Sequence, residues 1–206
     1  DVAQSSVDLL RLRRAMASGQ IKTSNGDRAG VKLILEDETM ELVAVNDLMT
    51  VENAAYLLKY DSVYGIYDME VKIDGNSLVV GGHKIRFLNE KEPANLPWKD
   101  MQAEIVIEST GFFTKQEDAE KHIHAGAKTV VISGPSNSKD TPTVVHGVNT
   151  KDGKTAVFSC ASCTTNNVGP VVEVIDRRIG IKKAILSTIH AYTASQGIVD
   201  APSKKD

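Results

Sequence analysis

The run EIVIESTGFFTKQEDAEKHIHAGAKTVVIS, Glu104 to Ser133, decides the fold. Its two ends, EIVIES and TVVIS, are short apolar, β-branched runs of the kind that fill buried strands. Between them, Gln116 to His124 predicts a helix. Strand, helix, strand in one short span is the unit that builds a parallel sheet, because two parallel strands need a crossover between them. The pattern recurs on both sides. ELVAVN (Glu41 to Asn46) predicts a buried strand ending at a carboxylate, Asp47, and Val51 to Lys59 a helix. AVFS (Ala156 to Ser159) predicts another strand, followed by a helix after Cys163 and a last strand in AILSTIHAY, Ala184 to Tyr192. Glu70 to Ile73, Ser77 to Val80 and Lys84 to Leu88 alternate apolar with polar and are split by Asp74-Gly75-Asn76 and Gly81-Gly82, which predicts an antiparallel meander. Repeated strand-helix-strand order implies an α/β protein with a doubly wound, mainly parallel sheet.

The first forty residues read differently. Val7 to Ser18 (VDLLRLRRAMAS) places Leu9, Leu10, Leu12, Ala15 and Met16 at roughly helical spacing between arginines, which predicts an amphipathic helix closed by Gly19. Thr23 to Gly30 (TSNGDRAG) is dense in turn formers ahead of a second apolar run, Val31 to Leu35. Asp47 stands where dinucleotide-binding folds place the carboxylate that holds the adenosine ribose, and a glycine-rich turn about 20 residues upstream would strengthen that reading. Gly26 and Gly30 give only G-x-x-x-G, without the middle glycine of the fingerprint. A plain surface turn is the equal alternative.

Composition excludes several classes of function. The 206 residues hold 24 Lys and Arg against 27 Asp and Glu, a net charge of −3, and no basic block, which argues against nucleic-acid or membrane-surface binding by bulk electrostatics. The longest apolar stretches are too short to cross a bilayer, and the N-terminus lacks the basic-then-apolar order of a secretory signal. A cytoplasmic location is the expectation. Two cysteines, Cys160 and Cys163, are too few for a disulfide scaffold.

Those cysteines lie in the segment with most chemical content, ASCTTN (Ala161 to Asn166), where a strand gives way to a helix. Ser162 is placed to cap the helix, and Cys163 then faces the positive end of the helix dipole, which favours thiolate over thiol. Thr164, Thr165 and Asn166 surround the sulfur with hydroxyl, amide and backbone N–H groups suited to an oxyanion or a phosphate. An inert buried thiol is the other reading. Cys160 and Cys163 also spell C-x-x-C, a redox or half-zinc pattern, but no histidine lies near in sequence to complete a metal site. His190, on the expected last strand, is either a core histidine or the base that takes the proton of Cys163. His122 and His124, ending a charged helix, are expected to face solvent.

ASCTTN followed by HAYT (His190 to Thr193) resembles phosphorylating glyceraldehyde-3-phosphate dehydrogenases, and the 27 residues from Cys163 to His190 agree with the spacing of that family's catalytic pair. AVNDL, LLKYDSVYG, PANLPW, ESTGFFT, HAGAKTVVIS, GVNT and DAPSKKD continue the resemblance in family order from about Glu41 to Asp206. The resemblance implies NAD as cofactor, glyceraldehyde 3-phosphate and inorganic phosphate as substrates, and a homotetramer. Cys163 would be the nucleophile and His190 its base; Ser162 and Thr164 would bind inorganic phosphate and Thr193 the substrate phosphate. Asp47 would hold the ribose, favouring NAD over NADP, with Arg28, Ala29, Lys91, Thr110, Gly111 and Ser133 lining the rest of the cofactor site. It also implies a Rossmann-type domain over residues 21–162 and the start of an α/β substrate domain over 163–206, with residues 1–20 an unplaced, helical leader. The chain departs from the pattern where the family's first turn reads G-I-N-G-F-G-R-I-G-R and this one IKTSNGDRAGVK, and at Cys160 and Asn167, where the family usually has Asn and often a second Cys. Its sequence ends sixteen residues past His190, so an incomplete substrate domain is expected. Erythrose-4-phosphate dehydrogenases share the same motifs and are the alternative enzyme; a binding fragment without turnover is the alternative class.

Overall fold

A computed structural model describes residues 15–18, 25–62, 64–149 and 155–191. Six strands run parallel: β1 (Ala15–Ser18), β2 (Leu42–Asn46), β7 (His83–Leu88), β8 (Ile105–Glu108), β9 (Thr129–Ile132) and β10 (Val157–Ser159). Their spatial order is β7-β2-β1-β8-β9-β10. Numbered along the chain, that is 3-2-1-4-5-6, the doubly wound dinucleotide-binding arrangement, whose order reverses between β1 and β8. β5 (Val71–Ile73) and β6 (Ser77–Val80) extend the β7 edge as the expected antiparallel meander. A two-residue pair, β3 (Tyr60–Asp61) and β4 (Gly65–Ile66), stands apart.

The helices follow from their sequences. In α2 (Val51–Lys59) the Thr50 hydroxyl accepts from Asn53 N, Glu52 sits in the first turn and Lys59 in the last, all favourable to the helix dipole. Val51, Ala54, Leu57 and Leu58 form its buried stripe. α3 (Gln116–His124) buries Ala119 and His122, one turn apart. Two apolar cores flank the sheet. Leu57, Leu78, Ile85 and Phe87 belong to one, and Trp98, Val106, Val130 and Ile132 to the other. Gly126, after α3, has φ +114, and a Cβ there would lie 2.5 Å from Lys99 Cβ, so only glycine lets the chain turn into β9.

Four expectations are corrected. Residues 7–14 lie outside the described residues, but Ala15–Ser18, expected as the end of a leader helix, is a central strand bonded to β2 and β8. Pairing on both sides outweighs the weak helical periodicity of a four-residue segment. The turn expected from Thr23 to Gly30 is helix from Asn25 onward, since α1 spans Asn25–Glu36. The β1–α1 connection is residues 19–24, outside the described set. Of Ala184 to Tyr192, expected as a strand, the described part, 184–191, has no regular secondary structure and joins no sheet, and Ile185 and Ile189 are fully exposed. The alternation is present, but no strand among the described residues offers it hydrogen-bond partners. Finally His122, expected to face solvent, is fully buried.

Candidate active site

Strand register sets the site. Ser18 pairs with Asn46 and Glu108, Asn46 with Leu88, Glu108 with Ile132, and Ile132 with Ser159, so six carboxyl ends lie level on one edge. In an open α/β sheet, ligands bind beyond that edge where the strand order reverses. A cavity of about 290 Å³ lies there, lined by Asn46 at the end of β2 with Asp47 and Leu48 after it, Glu90, Lys91 and Pro93 after β7, and Thr110, Phe112 and Phe113 after β8.

Its walls are fixed by hydrogen bonds between the connecting loops. Asn46 donates to Glu90 O and accepts from Glu90 N, each at 2.9 Å. Asn89 Nδ2 donates to Asp47 O at 2.8 Å. Asp47 is buried, and its Oδ1 accepts the Met49 N–H at 2.8 Å. Gly111 has φ +73, which turns the loop after β8 without strain. The Thr110 hydroxyl is committed to that loop: it donates to Glu108 and accepts from Phe112 N at 3.0 Å. Ser133 follows β9 on the same edge, its N–H donating to Glu108 O at 2.9 Å, but does not line the cavity.

Arg28 and Ala29 are not at the cavity; they lie in α1. Arg28 is buried, its guanidinium donating to Leu57 O at 2.9 Å and Tyr60 O at 3.4 Å and lying 3.4 Å from Asp61, so it caps the end of α2. Neither residue is among those that line the cavity. The cavity residues missed in the sequence were Asn46, Leu48, Glu90, Pro93, Phe112 and Phe113. All directly follow or end a strand predicted from sequence, a signal that locates loops but not which side chains turn inward.

The Cys163 region lies beyond β10. Ala161 has φ +63, an uncommon conformation for a residue with a Cβ, and its N–H is held by Ser159 Oγ at 3.0 Å. This bend aims the chain into α4 (Cys163–Ile179), capped as expected by Ser162, whose Oγ accepts from Thr165 N at 3.1 Å. Cys163 is therefore the first residue of the helix. Asn166 Nδ2 braces the bend by donating to Cys160 O at 2.6 Å and Ser162 O at 2.9 Å.

Cys163 Sγ and His190 Nε2 meet at 3.1 Å. His190 Nδ1 lies 2.7 Å from Ala191 O, a contact in which the ring must donate, leaving Nε2 to exchange a proton with the sulfur. The hydrogen bond from His190 holds the Cys163 thiol below its ordinary range, helped by the Thr164 N–H. His190 is pushed up, first by Ala191 O and then by Cys163. Burial pushes Cys160 the other way, up, so the two thiols of C-x-x-C are chemically unequal. Thr193 lies outside the described residues.

Two family models match the chain. Residues 27–116 match the family model described as glyceraldehyde 3-phosphate dehydrogenase, NAD binding domain, and residues 162–206 the one described as glyceraldehyde 3-phosphate dehydrogenase, C-terminal domain. Glyceraldehyde-3-phosphate dehydrogenase B of Aspergillus oryzae is 52% identical over 171 residues, covering 82% of this chain and 51% of that protein. The glyceraldehyde-3-phosphate dehydrogenase of Bacteroides fragilis is 48% identical over 180 residues, covering 87% and 53%. The cytosolic enzyme of Trypanosoma brucei brucei is 48% identical over 169 residues, covering 81% and 50%. The chain spans about half the length of the curated relatives it matches. With a sheet of order 3-2-1-4-5-6, a cavity at its switch point, a cysteine and histidine in contact, and both domain models of one family along its length, the chain belongs to the glyceraldehyde 3-phosphate dehydrogenase family.

Proposed function

We propose that this chain carries the cofactor-binding and nucleophile-bearing part of an NAD-dependent, phosphorylating glyceraldehyde-3-phosphate dehydrogenase of the cytoplasm, acting as a homotetramer. The observation that carries the reading is the Cys163–His190 contact at a helix N-terminus, on the same sheet edge as the cavity. The donor set suits a dinucleotide: a buried carboxylate at the end of β2 for ribose hydroxyls, and Leu48, Pro93, Phe112 and Phe113 as apolar walls for a base. Lys91 and the backbone around Thr110 and Gly111 would complete the site, with Ser133 beside it. NAD, when bound, accepts the hydride.

Cys163 thiolate adds to the aldehyde carbon, forming the C–S bond while the carbonyl oxygen takes a proton from the His190 imidazolium. As hydride leaves that carbon, His190 takes the hydroxyl proton back, leaving a thioester on Cys163. Inorganic phosphate, held by Ser162 and Thr164, attacks the thioester carbon; the C–S bond breaks, releasing the acyl phosphate and regenerating the thiolate. Thr193 would hold the substrate's own phosphate. The N–H groups of the first turn of α4 favour the anionic forms along this path. The test is NADH formation by the full-length protein with glyceraldehyde 3-phosphate, NAD and phosphate. Cys163→Ser should lower turnover by at least about a thousandfold, because a hydroxyl at this position is a far weaker nucleophile than a thiolate. Turnover that survives this change, or does not need phosphate, would contradict the reading.

A further inference from the structure

Glu108 ends β8 almost fully buried, with Trp98 and His122 fully buried beside it. The indole Nε1–H can only donate, and it reaches His122 Nδ1 at 2.9 Å. The imidazole proton therefore sits on Nε2, 2.9 Å from Glu108 Oε2. The other carboxylate oxygen, Oε1, accepts the Thr110 main-chain N–H at 2.7 Å and the Thr110 hydroxyl. That hydroxyl accepts in turn from Phe112 N at 3.0 Å and Phe113 N at 3.4 Å. Thr110, Phe112 and Phe113 line the cavity, so one of its walls hangs from a carboxylate whose far oxygen is anchored in the core.

We propose that Glu108 is a positioning residue for the cofactor: with His122 and Trp98 behind it, it holds the Thr110–Phe113 loop in the shape that receives the dinucleotide. The inference rests on the NAD reading above. A carboxylate is required because donors face it from both sides. A carboxamide has one accepting oxygen, so in either orientation its NH₂ meets a donor, His122 Nε2–H or the Thr110 pair, and the side chain must shift. The imidazole cannot relieve the clash by moving its proton to Nδ1, because Trp98 N–H already points there. Removing that N–H frees the ring to change tautomer, and the cost then falls on His122 Nδ1 in the core and not on the loop.

The experiment is NAD affinity of the full-length protein by calorimetry, for wild type, Glu108→Gln, Trp98→Phe and the double variant. Glu108→Gln is expected to raise Kd about tenfold, and the double variant to return to within about threefold of Trp98→Phe alone, on the scale of a lost hydrogen bond to a charged group. Glu108→Gln binding like wild type, or losses that simply add in the double variant, would overturn the proposal. If Glu108→Gln does not fold, the wild type decides. The His122 Nε2 proton should give a downfield resonance that shifts when NAD saturates the site, and an unmoved resonance counts against the proposal. Wild-type protein that takes up no NAD would instead overturn the functional reading and this role with it.

Discussion

The two halves of the site are built in opposite ways. The cavity beyond β2, β7 and β8 is walled by loops whose polar groups are paired and backed by core residues. The Cys163–His190 pair is exposed, on a helix with no buried residue and a segment without regular structure or a strand partner among the described residues. The first region positions its groups by burial, and the second by one strained bend, one helix cap and one contact between side chains. The cavity is therefore written into the sheet and its connecting loops. The Cys163–His190 pair rests on the bend at Ala161, the start of α4 and the reach of His190.

One substitution made in both regions breaks or sharpens this contrast. Ile132→Ala, at a nearly fully buried site in the second core, should cost the 206-residue chain about 2–5 kcal/mol in a denaturant titration. Ile179→Ala, at a site 83% exposed on α4, should stay within about 0.5 kcal/mol in the same chain. Equal losses would show that the α4 face is covered, and the contrast would fail.

The same contrast explains what could be read from the sequence. The strand-helix-strand rhythm from Glu41 to Cys163 was legible because period and burial agree there: Val106, Val130 and Val157 lie side by side across three strands and are buried in the same core. Ala15–Ser18 was misread because four residues carry too little pattern to outweigh the helical spacing before them, and its strand character comes from its neighbours. His122 was misread because its helix is rich in charge; what buries it is Trp98 and Glu108, 24 and 14 residues away, which no local period reveals. Arg28 was read from a damaged glycine pattern, which says nothing of the contact its helix gives it with the end of α2. For the reactive pair, the sequence located Ser162 and Cys163 at a helix start through cap chemistry alone. That His190 reaches Cys163 was visible only through family spacing, because contact across 27 residues is a property of the folded chain.

The central claim is that His190 activates Cys163, and alkylation of the folded protein across pH tests it most directly. The thiol is held below its ordinary value, first by the hydrogen bond from His190, and the imidazole above its own, first by Ala191 O and then by Cys163, and both shifts favour a thiolate–imidazolium pair. The rise in Cys163 alkylation should then fall below pH of about 8.5, the ordinary thiol value, and Cys163 should react faster than Cys160, whose thiol is pushed up by burial. His190→Asn should move the rise in rate to higher pH. Equal rates at the two cysteines, with a profile that His190→Asn leaves unchanged, would contradict the account.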